Sequence, residues 1–571
     1  MRRLSLSQAG EDTSPNQKNG IRAYCAVFAK THLNFYRLHL FVFTILPLFA
    51  SAIFYASNGP SPDNQIPFVD SMFMCYSAMT ACGLATILFA QITVWQQVIL
   101  FLLTAFGSLS SVSIVVILVR RHFFRKRFQH LVAHSRRQGV PADEPHRLKK
   151  VVSYLSFDAQ VGRNSKFLRL NAEQQEEIGG VEYRALSLLL KIVVGYWLGV
   201  QLLGIICIAP WLATSRSYRS VFEPSGAQDI DRTWFSVFLC ISAFGNNGMS
   251  VVDNSMIDFQ QAYGLLLVTG ILVLAGNTAL PCFLRLTIWT LSKCVPPQSR
   301  TKETLQFLLD HPRRCYIYLF PSNQTWFLVF LLVLFNGVDW ICFWLLDVGN
   351  PVIDALTPAA RCVDGLFQAL AVRTAGFSVI SLGDASPALQ FLFAIMMYIS
   401  AYPIAISVRS TNTYEDSSVA VHEALPDEAE LEEQFQRQDR PPGAYILAHM
   451  RRQLSFDIGF LTFAIFLLCI FERHRIGSED WHEVTIFSLI FEVLSAYGCV
   501  GLSLGTTRNS ASLCGVLRTI SKLALIAVMV RGRHRGLPLR IDHSIMLPSE
   551  LEDVQQEEEG EEDRLEEDGR E

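Results

Sequence analysis

Four stretches of the chain share one frame: SAMTACGLATI from Ser77, SAFGNNGMSVV from Ser242, LAVRTAGFSVI from Leu370 and SAYGCVGLSLG from Ser495. In each, alanine is second, glycine is seventh and an apolar residue follows: Gly83–Leu84, Gly248–Met249, Gly376–Phe377 and Gly501–Leu502. Each falls between two hydrophobic runs and is preceded by about three turns of helix-forming sequence, too short to cross a bilayer. A fourfold internal repeat constrains the architecture more than any local pattern does.

The hydrophobic runs lie near 34–57, 91–119, 186–212, 259–291, 324–347, 386–408, 455–472 and 511–530. Runs such as LHLFVFTILPLFASAIFYA reach the roughly 20 residues that a spanning helix needs. Only 18% of the 571 residues are charged, below the quarter usual for a soluble chain. The expected fold is therefore an all-α polytopic membrane protein built of four span–pore-helix–span repeats. Eight transmembrane helices and four re-entrant pore helices would stand in pseudo-fourfold arrangement. The repeats run 34–119, 186–292, 324–408 and 453–531. They are separated by an N-terminal segment 1–33, loops 120–185 and 293–323, an acidic and Pro-rich linker 409–452, and an acidic tail 532–571.

Basic residues fix the expected orientation. Arg120, Arg121, Arg125, Lys126 and Arg127 follow the second run; Lys293, Arg300 and Lys302 follow the fourth; Arg531, Arg533 and Arg535 follow the eighth. Both termini are then cytoplasmic and the glycine loops enter from outside. The thirteen cysteines show no repeated CxxC pairing, so neither a disulfide framework nor a zinc site is expected. The polar N-terminus shows no cleavable signal peptide.

Irregular backbone at membrane depth is tolerated only where it is buried in protein or lines a wet cavity. Four such segments around one axis can turn carbonyl oxygens toward a dehydrated cation, and glycine supplies the backbone angles this needs. The candidate ion filter is Thr80, Ala81, Cys82 and Gly83 in the first repeat, and Asn246, Asn247 and Gly248 in the second. Thr374, Ala375 and Gly376 supply it in the third, and Cys499, Val500 and Gly501 in the fourth. Asp70 and Asp364, near the starts of their short helices, are candidates for a negative outer mouth or for helix capping. Glu492 is expected to bond neighbouring loop backbone, and Arg373 to point sideways and tie its loop down. Lys522, mid-way along the last run with Arg518 one turn earlier, is read as a cation on the cavity wall below the filter, limiting ion occupancy or acting as a gate; the alternative is a buried ion pair or snorkelling.

With these segments in view, the chain resembles the Trk/Ktr/HKT superfamily of potassium transporters. GGVEYRAL, GNTALPCFLR, RTAGFSVISL, MYISAYPIAISVRSTNTYE, RGRHRGLP and IMLPSE narrow the likeness to its fungal Trk type, over about residues 30–550. The resemblance implies potassium uptake across the plasma membrane, driven by voltage, with H+ or Na+ as candidate coupling ions and no organic cofactor. It places K+ at Gly83, Gly248, Gly376 and Gly501, and a basic residue matched by Lys522 under the filter. It also implies a homodimer or higher homo-oligomer in membrane lipid, with no nucleic-acid partner. Relatives commonly carry a very long hydrophilic loop where this chain has only 120–185. Three other readings stand beside this one: a sodium-conducting HKT-like channel, a transport-dead sensor, and an intramembrane serine hydrolase. The last rests on GLSLG at 501–505, which lacks the strand–turn–helix setting that motif requires.

Overall fold

The computed structural model describes residues 35–58, 65–122, 160–161, 167–168, 172–222, 230–354, 356–399, 402–410, 442–506 and 512–535. Helix α1 (Phe35–Ala56) is followed by the short α2 (Phe68–Thr80), and α3 (Val94–Gly107) meets α4 (Leu109–His122) at a 59° bend. The order recurs in α5 (Ala172–Thr214), α6 (Arg232–Gly245) and α7 (Tyr263–Gly276), which turns by 87° into α8 (Leu280–Cys294). After α9 (Arg300–Asp310) come α10 (Ser322–Leu346), α11 (Pro358–Val372), α12 (Pro387–Ile399) and α13 (Tyr402–Ser410). The fourth set is α14 (Pro442–Phe471), α15 (Ile486–Gly498) and α16 (Thr519–His534). The strand content among the described residues is one short antiparallel pair, Gln160 with Leu168 and Val161 with Phe167.

Among the described residues, four helices are long and apolar enough to cross a membrane: Arg37–Ala56, Val181–Thr214, Ser322–Leu346 and Pro387–Ala405. The number rises to six if each bent pair is one span. Their outer faces carry large bare hydrophobics such as Phe49, Ile206 and Trp326, as expected where lipid rather than water is the solvent. The four short helices, of 13, 14, 15 and 13 residues, are about 20 Å long at 1.5 Å per residue. Three begin on side-chain caps: Asp231 accepts from the Thr233 and Trp234 N–H groups, Thr357 from Ala360, and Thr485 forms a reciprocal box with Ser488.

The structure corrects several sequence expectations. The second and fourth runs, expected as single spans, are each broken. At Gly107 and Gly276 the helix backbone lies so close to the carbonyls of Met79 and Phe244 that a Cβ would overlap them. The chain then leaves the helical path at Ser108 and Asn277. The eighth run begins with a 3₁₀ turn at Leu513–Val516, and its helix starts only at Thr519. The 293–323 loop is not free chain. α9 packs there, and residues 311–320 form a strap buried against α5 and α8. Arg313 of the strap donates to the carbonyls of Ile317 and Val408. α5 and α14 begin inside the expected 120–185 and 409–452 loops, at Ala172 and Pro442. The N-terminal segment 1–33, most of both loops and the acidic tail beyond Arg535 lie outside the described residues.

Candidate ion filter and its two vestibules

Each glycine frame sits where a short helix ends. Ala78, Ala243, Ala371 and Ala496, the second residue of each frame, are fully buried, which explains why only a small side chain recurs there. In three repeats the residue after the helix is left-handed: Ala81 at φ 54°, Asn246 at 55° and Cys499 at 51°. The paired bonds of a Schellman turn follow. Ala81 and Cys82 donate to Ala78 and Ser77, Asn246 and Asn247 to Ala243 and Ser242, Cys499 and Val500 to Ala496 and Ser495. The frame serines then reach the loop. Ser242 Oγ donates to the Met249 carbonyl at 2.6 Å, and Ser495 Oγ accepts from the Gly501 N–H at 3.1 Å. The third repeat, which has Leu370 in place of serine, departs. Arg373 stays right-handed at φ −78°, and the Thr374 and Ala375 N–H groups both turn back to Ala371 O.

Beyond these turns the four loops meet. Gly83, Gly248, Gly376 and Gly501 all have positive φ, between 64° and 99°. A Cβ on Gly83 would overlap the carbonyl oxygen of Asn247; on Gly248, that of Ala375; on Gly376, that of Val500; on Gly501, that of Cys82. Every partner is the sixth residue of the next frame, and the fourth repeat closes on the first. The result is a cyclic ring of four backbones in chain order. Glycine is required twice over, by the backbone angle and by the neighbour's oxygen.

The limbs rising from the ring are stapled to one another. Asp253 Oδ1 accepts from the Phe89 N–H at 2.7 Å, and Met256 donates to Ser378 O. Ala85 and Ser512 close the seam between first and last repeats through Ser512 N to Ala85 O and Ala85 N to Ser512 Oγ. Above the ring opens a vestibule of about 680 Å³ whose wall includes all four filter glycines and the acidic residues Asp253, Asp384 and Glu483. Burial pushes the Asp253 carboxyl above the usual carboxylate range, against the pull of the Phe89 and Ala90 N–H donors. Below the ring a smaller cavity of about 90 Å³ is lined by Ala81, Asn246, Thr374 and Cys499 from the turns, by Tyr318 of the strap, and by Arg533 and Arg535. Arg533 donates to Gly107 O, and Arg535 to Gly498 O at 3.1 Å.

Several expected roles are therefore reassigned. Lys522 does not face the lower cavity. It lies in the first turn of α16 and pairs with Asp70 of α2, Nζ to Oδ1 at 2.5 Å, so the ion-pair alternative holds. Arg518 is exposed and its backbone N–H bonds Glu472. Asp70 is engaged by Lys522 and is not among the residues lining the upper vestibule. Asp364 is wholly buried in α11, lines neither vestibule, and its carboxylate oxygens have no hydrogen-bond partner among the described residues. The mouth acids the sequence reading missed lie after their glycines or before the short helix, on the rising limbs. Arg373 turns aside, its guanidinium over the Phe335 ring at 5.1 Å, and Glu492 accepts from the Cys514 N–H. Cys82 is buried among backbone. Ser503, the serine of GLSLG, accepts from the N–H groups of Gly505 and Leu513; His534 lies at the far end of α16, and His543 is outside the described residues.

Comparison with known proteins identifies the family. The profile of the TrkH family, described as a cation transport protein, matches residues 150–552. The chain belongs to the TrkH family. It is 39% identical over 439 residues to the low-affinity potassium transport protein of Saccharomyces cerevisiae, covering 73% of this chain and 49% of that one. It is 42% identical to potassium transporter TRK1 of Candida albicans over 71% of this chain and 38% of the other, and 38% identical to potassium transport protein 1 of Schizosaccharomyces pombe over 71% and 46%. The chain thus spans about half the length, or less, of these relatives. The crystal structure of the potassium transporter TrkH from Vibrio parahaemolyticus aligns over 91% of this chain and 94% of its own, at 14% identity and a TM-score of 0.47, too loose a likeness to support any argument.

Proposed function

We propose that this TrkH-family chain carries potassium ions into the cell across the plasma membrane, through the ring of four glycine loops. The observation that carries the reading is the cyclic closure of the loops, each glycine against the sixth-position carbonyl of the next repeat. Such a ring offers carbonyl oxygens in place of water to an ion that must shed its hydration shell. The relatives named as potassium transporters support K+ as the ion. In this reading α1, α3–α4, α5, α7–α8, α10, α12–α13, α14 and α16 make eight spans, α2, α6, α11 and α15 are re-entrant pore helices, and both termini are cytoplasmic.

Cations gather in the upper vestibule under the field of Asp253, Asp384 and Glu483, lose water at the ring, and leave past Arg533 and Arg535, whose charge opposes lingering in the lower cavity. The membrane potential supplies about 2.3 kcal/mol per charge per 100 mV. At about 1.4 kcal/mol per decade, that holds roughly a fiftyfold gradient without coupling. A coupling ion, H+ or Na+, would raise the limit; no organic cofactor is needed.

The test is rubidium and sodium uptake by the purified chain in liposomes under an imposed negative-inside potential. Rubidium should enter ahead of sodium, and Gly83→Ser should weaken rubidium uptake more than sodium uptake. Equal losses would favour a sodium-conducting channel. Absence of any flux from folded, inserted protein would sink the reading.

A further inference from the structure

The third filter loop has lost the left-handed turn that positions the other three, and the structure shows what holds it instead. Thr374 Oγ1 donates to Asn246 Oδ1 at 2.8 Å, a buried bond from the third loop to the second. The other end of the same amide reaches backward. Asn246 Nδ2 donates to Val273 O at 3.1 Å, and more weakly to Phe244 O at 3.3 Å. Val273 lies in the last turn of α7, where the 87° break leaves carbonyls without their helical donors. One side chain thus ties the break in α7 to the filter loops of two repeats. The next residue repeats the device on the other side: Asn247 Nδ2 donates to Thr104 Oγ1 at 2.7 Å, one turn before the break at Gly107. The other three frames carry Ala81–Cys82, Thr374–Ala375 and Cys499–Val500 at these positions. Only the second has a pair of amides.

We propose that Asn246 is a positioning residue for ion selection: its amide sets the spacing between the second and third filter loops and transmits to that spacing the angle of the α7–α8 break. The inference rests on the transport reading above and deepens it. Its physical basis is the size of the competing ions. A ring that must tell potassium from sodium cannot let one of its four members drift, and the third loop's own turn lacks the left-handed residue, its Thr374, Ala375 and Gly376 N–H groups all sharing the single Ala371 carbonyl. Asn246 contributes its side chain, which the left-handed turn does not use. Glycine is accepted at φ 55° as readily as asparagine, so turn and clamp can be separated by mutation.

The experiment compares rubidium with sodium uptake in liposomes containing wild type, Asn246→Gly, Thr374→Val, the double variant, and Thr374→Ser. Asn246→Gly keeps the turn and removes the amide. Thr374→Val removes the hydroxyl at nearly constant shape. Thr374→Val should lower the rubidium-to-sodium ratio about fivefold, the effect of losing one net hydrogen bond, and Asn246→Gly, which also releases Val273 O and Phe244 O, at least as much. The double variant should fall no further than Asn246→Gly alone, since that change already removes the bond to Thr374. Thr374→Ser restores the donor and should restore the ratio. An unchanged ratio in Thr374→Val and Asn246→Gly, even with lowered thermal stability, would overturn the proposal, as would fully additive losses in the double variant. Wild-type vesicles that take up no rubidium would overturn the transport reading itself, a result distinct from wild-type flux with an unmoved ratio.

Discussion

Lys522 shows how far a single residue's role depends on where its helix begins. Hydropathy places it mid-way along a run from 511 to 530, deep in the bilayer. Residues 513–516 in fact form a 3₁₀ turn, so Lys522 falls in the first turn of α16, within reach of Asp70. Both side chains are mostly shielded, at 9% and 14% exposure. Lys522→Met should therefore cost about 3 kcal/mol of stability by stranding the carboxylate, and adding Asp70→Asn should recover most of it. Thermal unfolding in detergent checks this; a loss confined to transport, with stability intact, would contradict the assignment. The cations beneath the ring, Arg533 and Arg535, were legible only as topology markers, because a charge at the end of an apolar run reads first as an inside signal.

At the scale of the element, the short helices and their glycine frames could be read from sequence because one pattern recurs four times. The second glycine set could not. Gly107, Gly276 and Gly532 press against the third-position carbonyls Met79, Phe244 and Tyr497 of their own repeats, but they follow the filter glycines at unequal spacing. Gly276→Ala should cost about 3 kcal/mol through overpacking. Gly337→Ala in α10, with nothing within 4 Å of the added carbon, should change little. Comparative unfolding of the two variants decides it. The buried strap at 311–320 was also hidden, since its charges suggest solvent. There burial, helped by Arg314, pushes the His311 imidazole down to about 4. Its folded value lies below the unfolded 6.5, so the unfolded chain binds the extra proton. The contribution is whole above pH 6.5 and is lost as pH falls toward 4, on the order of 3 kcal/mol. His311→Gln should flatten that part of a stability-versus-pH curve; an unaltered slope would show that the ring is not kept neutral.

For the whole molecule, the fourfold plan follows from the demand that irregular backbone be sheltered, and that much was readable. The identity of the mouth was not. Asp70 and Asp364, inside the short helices, are absent from the vestibule wall, which takes Asp253 and Asp384 from the chain after two of the glycines and Glu483 from just before α15. The ring also makes a prediction of its own. Alanine at any one of Gly83, Gly248, Gly376 or Gly501 should lower flux at least tenfold, since it displaces a neighbouring carbonyl, and a second such change should add little because the ring is already open. Flux in single and double variants at matched incorporation would show the saturation; independent, multiplying losses would mean the loops act separately.

That closure also bears on how such a ring could change over time. Repeats descended from one unit are ordinarily free to drift apart, and here the caps, the helix breaks and the third turn have done so. At the ring the space one repeat leaves empty is where its neighbour's backbone stands. Replacing one of these four glycines would need a matching change in the adjoining repeat, whereas the bonds around them can vary one at a time.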